Sequence, residues 1–177
     1  MAFDGCSSIK AADAARNRGW LGKIRHPQAW AGYPTLMLMA LVETGTRALL
    51  GVRFGAVTEA GEIGYATTLL GLLKPDMLLL TDRGFDSNAF LAAVAGTGAQ
   101  LLARMTAQRR PPVLAALPDG SFLSMFGELR VRIIEATITV TTADGIPISG
   151  RYQLVTTLLD HRRDPADALI RLYHERW

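Results

Sequence analysis

Apolar positions recur along this chain with two different periods, and the changes of period mark its elements. Residues 1 to 8 read as a short strand with Asp4 inside it. From Ala11 to Gly32 the chain is rich in Ala, Arg, Gly, Trp and His without a clean period, which predicts a long loop with room for one helical turn. Tyr33 to Glu43 is apolar with β-branched and aromatic ends, Glu43-Thr44-Gly45 is turn chemistry, and Thr46 to Phe54 resumes the apolar pattern. Two such runs around a short Gly-containing turn predict a β-hairpin, although the Met and Leu residues of the first run also suit a helix.

Helical spacing follows. Ile63, Ala66, Leu69, Leu70 and Leu73 fall on one face of a predicted helix over 59–73, which Pro75 ends. Met77 to Thr81 is a short continuous apolar run of the kind that forms a buried central strand, and it stops at Asp82-Arg83-Gly84-Phe85. Ser87 can cap a helix over Asn88 to Ala95 closed by Gly96, and Gln100 to Arg104 is another short strand. Beyond the turn signals Pro111-Pro112 and Pro118-Asp119-Gly120, residues 111 to 159 read as an antiparallel block. In it Leu129 to Thr142 pairs across Asp144-Gly145 with a return strand over Tyr152 to Leu159. Asp164 as cap and Pro165 in the first turn open a last helix carrying Ala168, Leu169, Leu172 and Tyr173. The order predicts an α/β domain with a mixed sheet and a β-rich insertion.

Composition narrows the class of protein. Apolar residues make up 49% and charged residues 20%, so a core can form and disorder is not expected. The longest apolar stretch, Leu69 to Leu80, is cut by Gly71, Lys74, Pro75 and Asp76, too early for a membrane-spanning helix. The start, Met1-Ala2-Phe3-Asp4, has neither the basic nor the apolar region of a signal peptide. A single cysteine, Cys6, permits no internal disulfide and fits the reducing cytoplasm. A net charge of +3 and a pI near 9.3 permit nucleic-acid binding without requiring it. The arginines gather early, in the middle around Arg104, Arg109 and Arg110, and near the end; solvated faces explain such clusters equally well.

Candidate chemistry rests on few residues. Asp82 sits where a buried strand reaches its carboxyl end, the edge at which open α/β sheets collect functional groups. The plainer reading is a turn-forming Asp, with Gly84 supplying a positive φ. Asp4 lies within the first strand; converging carboxylates suit a hard divalent cation, and two such ions can serve phosphodiester chemistry. Its plainer reading is a surface or capping Asp. Tyr173 and Arg176 are spaced to share a helix face and could grip a phosphate, although a core Tyr is the usual meaning of such a pair. The histidines at 26, 161 and 174 lack metal spacing, Cys6 has no base near it in sequence, and neither a hydrolase elbow nor a P-loop occurs.

Three stretches together resemble the DDE transposases of bacterial insertion sequences, in the branch with a β-rich insertion before the final acid. They are Asp4-Gly5-Cys6-Ser7-Ser8 with Asp13 and Asn17 after it, Leu78 to Phe85 around Thr81-Asp82-Arg83-Gly84, and Tyr173-x-x-Arg176-Trp177. Tyr33-Pro34, Thr46-Arg47-Ala48-Leu49 and Gly61-Glu62 are similar to the family as well, so the resemblance spans nearly the whole chain.

The resemblance implies an RNase H-like fold: residues 1–110 as the first part of the catalytic core, 111–159 as the β-rich insertion, and 160–177 as the start of the helix for the third acid. It implies Asp4 and Asp82 as catalytic metal ligands, two Mg2+ or Mn2+ ions, and DNA contacts through Tyr173, Arg176 and, less directly, Arg83. The expected partner is DNA at transposon ends, with a homodimer on that DNA as one assembly. In the family's third motif the Glu stands four positions after the Arg, which here lies past Trp177, and the family's upstream end-binding region has no counterpart before Asp4. The expectation is therefore a core truncated at both ends and inactive as it stands. Glu175 precedes Arg176 on another helix face and does not replace that acid. Two readings stay beside it: a DNA-binding fragment without catalysis, and a non-transposase RNase H-like nuclease.

Overall fold

The structure is a computed structural model that describes residues 1–23, 25–26, 29–30, 32–141, 144–145 and 147–175. The chain forms two compact units, Met1–Leu73 and Lys74–Trp177.

The first unit comprises β1 (Ala2–Lys10), α1 (Ala15–Leu21), a short ribbon of β2 (Arg25–His26) and β3 (Ala29–Trp30), the hairpin strands β4 (Thr35–Val42) and β5 (Leu49–Ala56), and α2 (Val57–Leu69). β4 pairs antiparallel with both β1 and β5, and the β1 register shifts between Cys6 and Ile9. The run over 33–43 is thus a strand. Its turn is closed by the Glu43 carboxylate, which accepts hydrogen bonds from the amides of Gly45 and Thr46 and from the Thr46 hydroxyl. Those three donors hold the Glu43 carboxyl at about 2, far below the ordinary carboxylate range. The loop expected over 11–32 instead contains seven residues of helix in α1, ended by Gly22 at φ 65°. α2 lays Tyr65, Ala66 and Leu69 against the sheet, and the Tyr65 hydroxyl donates to the Ala56 carbonyl at 2.9 Å. Gly61, at φ 62° and ψ −175°, breaks the first turn of α2 from the rest.

The second unit holds β6 (Leu78–Thr81), α3 (Asn88–Gly96), β7 (Gln100–Arg104), β8 (Ala115–Ala116), β9 (Phe122–Phe126), β10 (Leu129–Thr141), β11 (Pro147–Thr156) and α4 (Ala166–His174). Its strands lie in the order β6-β7-β11-β10-β9-β8. β6 and β7 run parallel, joined through α3, while the remaining pairs are antiparallel, so the sheet is mixed and the architecture α/β. Consecutive residues of the parallel pair are buried, among them Leu79, Leu80, Leu101, Leu102 and Ala103, which means that both faces are covered. The hairpin read from Asp144-Gly145 is present as β10 and β11.

Helix ends depart from expectation in two places. The Ser87 hydroxyl accepts from the Phe90 amide as a cap should, but Gly96 is the last helical residue of α3, Thr97 is its C-cap, and the left-handed glycine beyond it is Gly98, φ 85°. α4 begins without a side-chain cap of its own, and Asp164 does not supply one. The Asp119 carboxylate, in the turn before β9, accepts from the Ala166 amide at 3.1 Å. The same carboxylate pairs with the fully buried Arg132 guanidinium. Arg132 also donates to the Ser121 hydroxyl at 2.8 Å and to the Asp164 carbonyl at 2.7 Å. A charge far from the motifs therefore joins the β-rich block to the last helix, a long-range link that local sequence patterns do not encode. No described helix is long and apolar enough to cross a membrane.

Candidate functional site

β6 delivers Asp82 to the surface. Thr81, at the end of the strand, is buried, and Asp82 beyond it is exposed with extended backbone at φ −83° and ψ −176°. Its Oδ1 accepts from the Gly84 amide at 2.8 Å and caps the single 3-10 turn Arg83–Phe85. Gly84 is not among the positive-φ glycines; it contributes its amide instead of a left-handed backbone. Phe85 anchors the turn beneath, with its ring 5.2 Å from that of Phe90. Among the described residues nothing donates to the second Asp82 oxygen, so an exposed carboxylate oxygen is open to a ligand. A hard cation such as Mg2+ takes oxygens of this kind.

Parallel pairing continues the site sideways. Thr81 lies opposite Ala103, which sets Asp82 and Arg104 side by side at the carboxyl edge of β6 and β7, where α/β sheets bind ligands. Arg83 is exposed and has no hydrogen-bond or ion-pair partner among the described residues. Arg104 lies over the Tyr152 ring, 5.5 Å from its centroid. Sequence reading gave Arg104 no role beyond a charge cluster, although its place at the end of a strand parallel to that of Asp82 was the signal that marks it.

The last helix reaches the same edge. Tyr173 is buried, and its hydroxyl donates to the Thr81 carbonyl at 3.2 Å, one residue before Asp82. The expected partners Asp82 and Tyr173 are thereby brought together, but through the backbone of Thr81. With its proton engaged there, the Tyr173 hydroxyl cannot also donate to a phosphate in this conformation. Next to it, His174 Nε2 shares a hydrogen bond of 2.6 Å with the Tyr152 hydroxyl. Burial pushes the Tyr152 phenol up. Arg176 lies outside the described residues, and Glu175 is exposed at the C-terminal cap of α4.

Asp4 belongs to the first unit. It lies opposite Ala40 in the β1–β4 pair, and its side chain is exposed. At the next position, Gly5, a Cβ would meet the end of the Glu62 side chain on α2, which would have to move aside. Among the described residues no three His, Cys, Asp or Glu side chains gather into a group able to hold a metal ion. The chain matches no protein-family model and no curated protein.

Proposed function

We propose that this chain is the core of a metal-dependent DNA strand-transfer enzyme of the DDE transposase type, with an RNase H-like fold. The observation that carries the reading is Asp82. It is an exposed carboxylate with one open oxygen, at the carboxyl end of a buried parallel strand, and Tyr173 ties the helix of the third motif to that strand. The α/β order with a β-rich block after β7 agrees with it.

Asp82 would hold a divalent cation, and the resemblance, rather than any geometry, names Asp4 of the first unit as a further ligand. A bound pair of Mg2+ or Mn2+ ions would supply activation of a water or 3′-hydroxyl and stabilise the leaving oxygen of a phosphodiester. Arg83 would neutralise a neighbouring phosphate, as would Arg176. The Asp82–Gly84 hydrogen bond fixes the carboxylate on its turn, so that the open oxygen keeps one direction. Tyr173 positions α4 against the site. The partner is DNA at insertion-sequence ends, where a homodimer would bring two ends together.

The test is Mn2+- or Mg2+-dependent cleavage of DNA carrying the element's ends. It compares a form that includes a glutamate four positions after Arg176 with the same form carrying Asp82→Ala. We expect cleavage by the first, with Asp82→Ala at background. Equal cleavage by Asp82→Ala would sink the proposal.

A further inference from the structure

Beside the Asp82 turn the second unit forms a half-open cavity of about 370 Å³, toward the small end of the roughly 300–1,000 Å³ typical of ligand pockets. Its lining includes four arginines, Arg83, Arg104, Arg110 and Arg151, and one acidic residue, Glu135, with Tyr152 forming part of the wall. These arginines come from four separate places: the turn after β6, the end of β7, the loop before β8, and β11. Local charge runs therefore do not explain the cluster; the sheet assembles it.

The cations are under-used by the protein. Among the described residues Arg83 has no partner, Arg104 meets only the Tyr152 ring, and Arg110 donates only to the carbonyls of Ala107 and Arg109. Arg151 reaches Glu135 at 3.5 Å and is otherwise solvated, with 80% of its side chain exposed. Glu135 is held in turn by the Gln153 amide at 2.8 Å. Planar guanidinium groups with free donors match phosphate oxygens in pairs, and arginine and aromatic side chains are surfaces on which a base can stack.

We infer that this cavity is a binding subsite for one nucleotide of a single DNA strand, with Arg104 and Arg151 on its phosphate and Glu135 as an internal competitor for Arg151. A small cavity favours a single strand, because a duplex presents two stiff backbones and cannot lower one nucleotide into a pocket. The choice of DNA rests on the function proposed above; the anionic strand rests on the cavity alone.

The experiment is fluorescence anisotropy of a short labelled single strand, measured in chelator so that no cleavage contributes, over a series of salt concentrations. The double variant Arg104→Ala/Arg151→Ala should bind about 10-fold more weakly and show a salt slope shallower by roughly 0.7 for each phosphate it no longer neutralises. Arg130→Ala, which removes one arginine charge from the exposed face of β10 outside the cavity, should change binding less than about 2-fold. Glu135→Gln should tighten binding about 3-fold by releasing Arg151. Thermal melts of each variant check that the fold is retained. Unchanged binding by the double variant, an equal loss in Arg130→Ala, or equal affinity for a duplex overturns the assignment. Asp82-dependent cleavage alongside unchanged strand binding would remove the cavity alone. Cavity-dependent binding without Asp82-dependent cleavage would remove the enzyme and leave a strand-binding site.

Discussion

The hairpin of β10 and β11 carries two arginines in opposite circumstances. Arg132, opposite Thr156 near its root, is fully buried, and its donors go to Asp119, Ser121 and the Asp164 carbonyl. Arg151, opposite Thr137, stands in solvent with a single long approach to Glu135. A buried guanidinium persists only when its donors are matched, because an unpaired buried charge is expensive. An exposed one carries no such constraint, and its free donors are available to something outside the chain. Charge counting treats the two alike; hydrogen-bond bookkeeping assigns one to architecture and the other to a ligand.

Removing either arginine breaks the comparison most directly. Arg132→Met should destabilise the protein by about 3–5 kcal/mol, since Asp119 is left without its ion pair and is no longer held where it caps the first turn of α4. Arg151→Ala should stay within about 0.5 kcal/mol of the parent. Urea midpoints of the two variants measure the difference, and similar midpoints would show that burial at Arg132 does not translate into stability.

Acid sharpens the same contrast. Burial by itself raises the Asp119 pKa, but the Ser121 hydroxyl and amide, the Ala166 amide and the Arg132 charge together lower it below its ordinary 3.8. A carboxylate depressed in the folded state stabilises the protein above its unfolded pKa and loses that contribution as pH falls through the folded value. The stability gap between the parent and Asp119→Asn should therefore be widest near neutral pH and narrow below 3.8. A gap independent of pH would mean that the carboxylate acts through shape and not through charge.

The elements that were legible are those set by local chemistry. The strand ending at Asp82, the Ser87 cap and the Asp144-Gly145 hairpin all follow from residues within a few positions of one another. Asp82 stood out because position along a strand is itself a local property. What escaped sequence reading was assembled over distance. Asp119 capping α4 spans 47 positions, and the arginines of the cavity meet only because β7 pairs with β11. α1 was hidden for another reason, since Ala15-Arg16-Asn17-Arg18 has good helix formers but no apolar period to reveal them.

Tyr173 gives the smallest effect and separates two roles that its motif spacing leaves open. Tyr173→Phe keeps the ring in the core and removes only the hydrogen bond to the Thr81 carbonyl, which should cost about 1 kcal/mol. Thr81 is buried, so water cannot readily replace the lost bond, and the change should register as a lower urea midpoint. Strand affinity in chelator should stay the same, because a hydroxyl already donating to the backbone has no proton left for a phosphate. A variant that keeps its midpoint but binds DNA several-fold more weakly would reverse the assignment. Tyr173 would then turn outward when DNA is present, and the pairing with Thr81 would be the resting arrangement of a phosphate-binding side chain.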